Sequence, residues 1–471
     1  MPLTYKFRGD VVMRKISWIL AIAYSSSICG QVMHVEGGGN YTSASRMPYF
    51  VVSNQGGIFG NMQNGGYLRA NVFSTTPTYD TARLHFSYGI DLLGRIGQNK
   101  EAEVYQGYAG LQYRFFQLWA GKRREFYGNQ DTLLSSGGAI WSGNAPPIPK
   151  VMLSTPGFIP VFKYQWLKIS TGIAHGWLGY KESYIQNPYL HQKYLYIRLG
   201  NPQKFSFTAG VQHYAQWGGI SPKYGQLPDD FKNFLKVFFA YNNEDRLDPT
   251  HSGMPENEAR NRIGNHVGTK DFGFDFCYKS WKVKLYWQNF IEDITGVGFR
   301  NAMDGIWGIT LNRENRWKLN YEFIHTYTFF ITPEEYTLLD DYFNNSIYRS
   351  GWTYKGYVIG TPLITSPVLL ADSLIGHSLI NNRVIAHHIA SSYAKGKLSL
   401  TLQYIYSKNY GNGRIIYTSP KIQHSMAIMT HVYDIFPRLS LKSIIAYDHG
   451  DLLGNKWGVH LSLIYRIERL L

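Results

Sequence analysis

The residues best suited to meet a ligand crowd into one connection. From Gly121 to Val161 the chain reads GKRREFYGNQDTLLSSGGAIWSGNAPPIPKVMLSTPGFIPV, which gathers Lys122, Arg123, Arg124, Tyr127, Trp141 and Lys150. Aromatic rings stack on the apolar faces of sugars, while Lys and Arg meet carboxylates or phosphates. A carbohydrate site over these six residues is therefore one expectation. The other is a folded plug or structural loop, because the stretch from Lys122 to Pro160 is too long and too rich in Gly, Pro and Ser for a strand.

Other chemistry is sparse. No HExxH, CxxC, GxSxG or phosphate-loop pattern occurs. His387 and His388 are neighbours in an alternating segment, so they point to opposite faces and cannot chelate one metal. Glu334, Glu335, Asp340 and Asp341 could collect a calcium ion, but a solvated helix face explains them more simply. Asp448, His449 and Asp451 lack a serine or second acid at a defined spacing. The expectation is a protein that is not an enzyme, with no catalytic residue, no metal and no cofactor.

The elements that must carry these residues are strands. Aromatics make up 16% of the 471 residues and charged residues only 17%, which excludes a disordered chain. Beyond the N-terminus no apolar run reaches the roughly 18 residues that a membrane helix needs. What repeats is alternation. Phe272, Phe274, Phe276 and Tyr278 interleave with Asp271, Gly273, Asp275 and Lys279, and Phe205, Phe207 and Ala209 interleave with Ser206 and Thr208. Short turns such as 201–204, 395–397 and 437–438 imply antiparallel hairpins, and long connections at 122–160, 218–231, 245–270 and 330–383 alternate with them. Tight turns on one side and large loops on the other suit a transmembrane β-barrel. Tyr and Trp at strand ends suit interfacial girdles better than they suit a soluble sandwich.

The expected fold is all-β, a large antiparallel transmembrane barrel of roughly 16 to 18 strands over residues 66–471, closed by the alternating segment that contains Val459, Leu461, Leu463 and Tyr465. Residues 31–65 form a small periplasmic or luminal segment, within which 46–60 is helical or irregular, and 333–345 is a short loop helix with Pro333 at its first position. Residues 1–30 read as a signal peptide. Arg14 and Lys15 precede a short apolar core, and small residues follow, with cleavage near Gly30 leaving Cys277 as the single cysteine.

Four stretches then resemble one family. The loop GKRREFYG with SSGGAIWSGNAPPIPKVMLSTPGFIPV, MPYFVVSNQGG at Met47 to Gly57, WQNFIEDITGVGFRNAMDGIWG at Trp287 to Gly308, and GWTYKGYVIGTPLI at Gly351 to Ile364 are similar to the Wzi capsule assembly proteins, in the form found in Bacteroidetes-like bacteria. The resemblance implies an outer-membrane barrel of about 18 strands with a small periplasmic helical portion. It also implies a role in attaching or organising capsular or other surface polysaccharide. Expected partners are that polysaccharide, outer-membrane lipid and lipopolysaccharide, and the barrel-assembly machinery during insertion, with no nucleic acid. A net charge of +15 suits an acidic glycan or the phosphates of lipopolysaccharide. The alternative function is a porin or channel for small solutes, its polar strand faces lining a pore.

Overall fold

The computed structural model describes residues 31–60, 63–74, 84–97, 100–161, 164–241, 262–292, 298–299, 301–327, 329–331 and 337–468. The expected signal peptide lies outside these residues. The chain opens with β1 (Gln31–Thr42), β2 (Gly65–Ser74), β3 (Leu84–Ile96), β4 (Lys100–Tyr113) and β5 (Phe116–Lys122). Next come β6 (Pro149–Ser154, resumed at Ile159–Val161), β7 (Tyr164–Trp177), β8 (Tyr189–Asn201) and β9 (Phe205–Trp217). The second half holds β10 (Asn265–Tyr278), β11 (Trp281–Ile291), β12 (Gly305–Arg313), β13 (Trp317–His325) and β14 (Val384–Lys395). It ends with β15 (Leu398–Gly411), β16 (Ile416–Phe436), β17 (Leu439–Gly450) and β18 (Lys456–Glu468). Both pieces of β6 pair with β7 and share one place, so the sheet closes as an 18-strand antiparallel barrel. The expected architecture is present.

Closure is made by β1, which pairs with β2 on one side and β18 on the other. Starting the barrel at residue 66 is therefore corrected: among the described residues its first strand begins at Gln31, and 43–64 connects it to β2. The strand was hidden because Gly37, Gly38 and Gly39 erase the alternation. Gly38 is required by the seam. A Cβ there would lie 2.7 Å from the Ser462 Cβ and 2.8 Å from the Tyr67 ring. Gly38→Val is expected to cost about 1–3 kcal/mol by overpacking, read as a lower midpoint of heat-modifiable gel mobility.

The strand faces are inverted relative to a soluble core. On β9 Phe205 is 56% exposed, whereas Ser206 and Thr208 are 0% exposed. Apolar side chains point outward from the wall and polar ones inward, as a barrel in hydrocarbon requires. No helix among the described residues is long and apolar enough to cross a membrane. Every turn among the described residues at the end holding Gln31 and Glu468 is short, including 114–115, 279–280, 396–397 and 437–438. The long connections 43–64, 123–148, 178–188, 218–264 and 326–383 all leave from the opposite end.

Three further expectations change. Residues 149–154 and 159–161 are strand in spite of Pro149 and Pro160, because proline is tolerated at a strand start and at an irregular pairing such as the one at Pro160. The two loops at 218–231 and 245–270 are one connection, which holds a helix α2 (Phe231–Phe239); α1 is the short turn Tyr49–Val52 of the 43–64 connection. No helix spans 337–345: Thr337–Leu339 is a short strand, and turns follow. Tertiary bonds outweigh local propensity there, since the Tyr342 hydroxyl donates to Asp304 Oδ2 at 2.6 Å and Asn382 donates to Asp341 at 2.7 Å. Residues 333–336 lie outside the described set.

Candidate functional site

Three of the long connections fold back into the barrel and pack on one another. Residues 47–57 bring buried Tyr49, Phe50 and Val51 against the wall, where the Tyr49 amide donates to Asp448 Oδ2 at 2.9 Å. The 123–148 connection crosses the lumen on wall carboxylates and amides. Asn129 donates from its backbone and side chain to Asp271, both at 2.8 Å, the Ser136 amide donates to Glu322 Oε2 at 2.7 Å, and the Ala139 amide donates to Gln288 Oε1 at 2.8 Å. Residues 351–364 lock onto it: Trp352 Nε1 donates to the Ile140 carbonyl at 2.8 Å, and Ser142 Oγ donates to that of Gly360 at 2.7 Å. Asn144 joins all three, accepting from the Asn54 amide and donating to the Val358 carbonyl. A glycine-rich chain can pass this closely; at Gly138 a Cβ would sit 2.4 Å from the Trp141 carbonyl oxygen. The lumen is plugged.

The residues expected to hold sugar divide. Tyr127, Trp141 and Lys150 do come together, but inside the plug. Lys150 Nζ lies 4.4 Å from the Trp141 ring centre and 5.4 Å from that of Tyr127, 2.7 Å from Glu125 Oε2 and 2.6 Å from Gln192 Oε1. Lys150 is 1% exposed. Arg123 pairs with Glu125 at 3.1 Å and covers Trp119 at 4.4 Å. Burial pushes the Glu125 carboxyl up, but the Lys150 and Arg123 charges outweigh it and hold the group below the usual carboxylate range. Arg124 donates to the Asn54 carbonyl at 2.7 Å. The cleft beside Arg123, Arg124 and Trp141 has about 10 Å³, room for at most one water. These five side chains hold the plug together. Lys122 stands apart, at the end of β5, on an open cavity.

That cavity, about 750 Å³, opens at the long-connection end. Its cations are Arg95, Lys122, Lys181 and Lys355, its anions Glu101, Glu103, Glu182 and Asp372, and its rings Tyr180, Tyr354 and Tyr357. Arg95 binds Glu101 at 3.0 Å and Glu103 at 2.8 Å, and Lys355 binds Glu103 at 2.9 Å. Lys122 and Lys181 form no ion pair among the described residues. Tyr180 meets Tyr354 edge to face at 5.8 Å. Burial, with help from the Glu103 charge, pushes the Tyr354 hydroxyl up to about 12, so it stays a donor near neutral pH. Rings, fixed carboxylates and two available ammonium groups are what an extended acidic glycan needs. Only Lys122 of this set was legible as a candidate. Tyr180 and Lys181 lie in the GYKESY stretch, where a Tyr beside a Lys was the available signal.

A second cavity, about 420 Å³, lies on the other side of the plug, lined by Ser399, Thr401, Gln403, His431 and Lys442. The two share no lining residue. Among the described residues no three His, Cys, Asp or Glu side chains converge to hold a metal.

Residues 33–364 match the family model described as capsule assembly protein Wzi. No curated protein matches the chain in sequence. Among solved structures the fold is similar to Wzi of Escherichia coli, an outer-membrane protein involved in group 1 capsule assembly and a carbohydrate-binding β-barrel. The TM-score is 0.60 and the identity 13%, over 99% of this chain and 90% of that one. OccK10 (OpdN) of Pseudomonas aeruginosa scores 0.47 at 10% identity, over 94% and 99% of the two chains. OccAB2 of Acinetobacter baumannii scores 0.47 at 8%, over 93% and 98%.

Proposed function

Since the chain belongs to the Wzi capsule assembly family, we propose that it works in the Gram-negative outer membrane, binds exported surface polysaccharide at the 750 Å³ cup and helps assemble it into capsule without catalysing a reaction. Residues 1–30 serve as the export signal. The short turns, with Gln31 and Glu468, face the periplasm and the cup faces outward. Outer-membrane lipid and lipopolysaccharide surround the barrel, and the barrel-assembly machinery inserts it.

The observation that carries this reading is the open cup over a filled lumen. A solute pathway needs a continuous bore, whereas a retained polymer needs a surface with cations and rings that small ions of the cavity do not already satisfy. Lys122 and Lys181 supply the charge for an acidic polymer, Tyr180 a face for stacking, and Tyr354 a hydroxyl at the floor. The six residues expected from sequence reduce to Lys122 as a direct contact; Arg123, Arg124, Tyr127, Trp141 and Lys150 act by holding the plug.

Two losses test the proposal. Cells lacking the protein are expected to shed polymer into the medium, and unchanged cell-associated capsule in such cells would refute the role. In purified protein, the combined Lys122→Ala, Lys181→Ala and Tyr180→Ala variant is expected to bind acidic capsular polysaccharide more weakly by a factor of at least about a hundred, since each of the two charge-assisted bonds contributes about 1.5–3 kcal/mol. Native affinity in a folded variant would remove the cup from the site.

A further inference from the structure

On the short-turn side of the plug the lumen wall is basic. Lys168 on β7, Arg198 on β8, Lys282 and Lys284 on β11, Lys318 on β13 and Lys442 on β17 each lie no more than four residues from the short-turn end of their strand. Side chains alternate across a strand, so their direction follows from neighbours of the same parity. Ser170, Tyr196, Tyr286, Asn320 and Ile444 are all buried on the luminal face, and the cations share their register. The carboxylates on this side are already engaged. Asp275 accepts from Ser206 at 3.2 Å, Asp131 of the plug lies 3.5 Å from Lys318, and Glu36 accepts from Tyr67 at 2.7 Å and lies 3.7 Å from Arg69. Lys168, Lys282, Lys284 and Lys442 form no ion pair among the described residues. Charges of one sign in a concave basin with low-dielectric walls focus a field on whatever enters.

The 420 Å³ cavity is where this field meets a shaped surface. One side is a row of polar side chains, Ser399, Thr401 and Gln403, spaced two apart on β15 so that all three point inward. Another side holds Lys442 and His431, which lie directly opposite each other on β17 and β16. The His431 ring stacks on Tyr433 at 3.9 Å, and its Nε2 atom has no hydrogen-bond partner among the described residues. The plug forms the roof, where Asn54 Oδ1 also lacks a partner among those residues. Tyr433 is 45% exposed and Leu133 of the plug 53%, although both line the cavity, so it is open to water. Hydration of the lumen accounts for scattered lysines. It does not account for a ring pair and a row of hydroxyl and amide groups set around one of them.

We propose that this cavity is a second glycan site, which takes a uronic acid unit of an anionic saccharide from the periplasmic side. Lys442 meets the carboxylate, Ser399, Thr401 and Gln403 meet ring hydroxyls, and the open face of Tyr433 meets the apolar face of the sugar. The volume is in the range that encloses a small ligand, and the plug closes the far side, so the site holds a chain end and not a threaded polymer. It rests on the orientation of the barrel in the outer membrane and shares no lining residue with the outer cup.

The test uses the full chain in detergent micelles with the cup substitutions Lys122→Ala, Lys181→Ala and Tyr180→Ala, which leave only the inner cavity to bind. A galacturonic acid trisaccharide is expected to bind this protein and to lose about tenfold in affinity when Lys442→Gln is added, as the loss of one charge-assisted bond requires. Absence of binding, or undiminished affinity after Lys442→Gln in protein whose heat-modifiable mobility shows a formed barrel, would overturn the proposal. Neutral maltotriose is expected to bind more weakly by at least about tenfold, and equal affinity would remove the role of charge. A tri-aspartate peptide that binds as tightly as the trisaccharide would overturn the saccharide assignment. Location is read separately: Ser399→Cys, with Cys29→Ser and Cys277→Ser, is expected to react with a maleimide more slowly when the trisaccharide is present, and an unchanged rate would place the ligand elsewhere. Cup substitutions that leave capsular polysaccharide binding intact count against the cup alone, so the two readings fail separately.

Discussion

Replacing residues 131–143 by a short Gly-Ser linker should turn a closed barrel into a conducting one. That stretch is where the plug meets the wall at Glu322 and Gln288 and where Ile140 and Ser142 hold the 351–364 connection. The wall itself does not depend on it, because the strands pair with one another around the full circumference. Barrels of about 16 to 18 strands leave an aqueous channel when nothing fills them. Native protein in planar bilayers is expected to show no persistent conductance, and the variant steady ion-conducting steps, with unchanged heat-modifiable mobility showing that the barrel has formed. Persistent conductance of the native protein would instead favour the porin alternative.

Lys150→Ala should destabilise the protein by about 3–5 kcal/mol, the cost of breaking a buried ion pair by removing one partner. Glu125 lies 2.7 Å from the Lys150 ammonium inside the plug, and Arg123 at 3.1 Å is its other cation. The double variant Lys150→Met with Glu125→Gln is expected to recover most of the loss, because both desolvated charges disappear together. Urea midpoints of the three proteins decide this. If Lys150→Ala alone costs less than about 1 kcal/mol, the pair is solvated and behaves like a surface bridge.

What was legible in the sequence was whatever depends on neighbours in the chain. Phe272 to Tyr278 and Phe205 to Ala209 alternate because each strand has one lipid face, and β10 and β9 lie there. The end strand was legible for the same reason. β1 was not, since its glycines serve a contact with Tyr67 and Ser462 that only the closed circle creates. The α2 helix was missed because a run so rich in Phe, FKNFLKVFF, passes for another lipid-facing strand; its 3.6-residue order becomes visible only against the wall that it covers. The site divides in the same way. Cationic and aromatic residues at 122–150 marked a special region correctly, yet residue type cannot separate a ring that stacks on a ligand from one that stacks on Lys150. Three of the four family-like stretches form the plug, so their likeness reflects mutual packing inside the barrel.

The seam between β1 and β18 also dictates when the molecule can be finished. Val35 lies opposite Tyr465, which joins the first described strand to the last. Loop entropy grows slowly with length, each doubling costing about 0.6 kcal/mol, so the contact is affordable in equilibrium but slow to find. Until the final hairpin arrives, two bare strand edges remain, each able to recruit a stranger's backbone. The last strand, β18, must therefore be made before the circle can shut, and until then those edges stay bare. The order in which this chain meets itself thus sets how long its edges stay open.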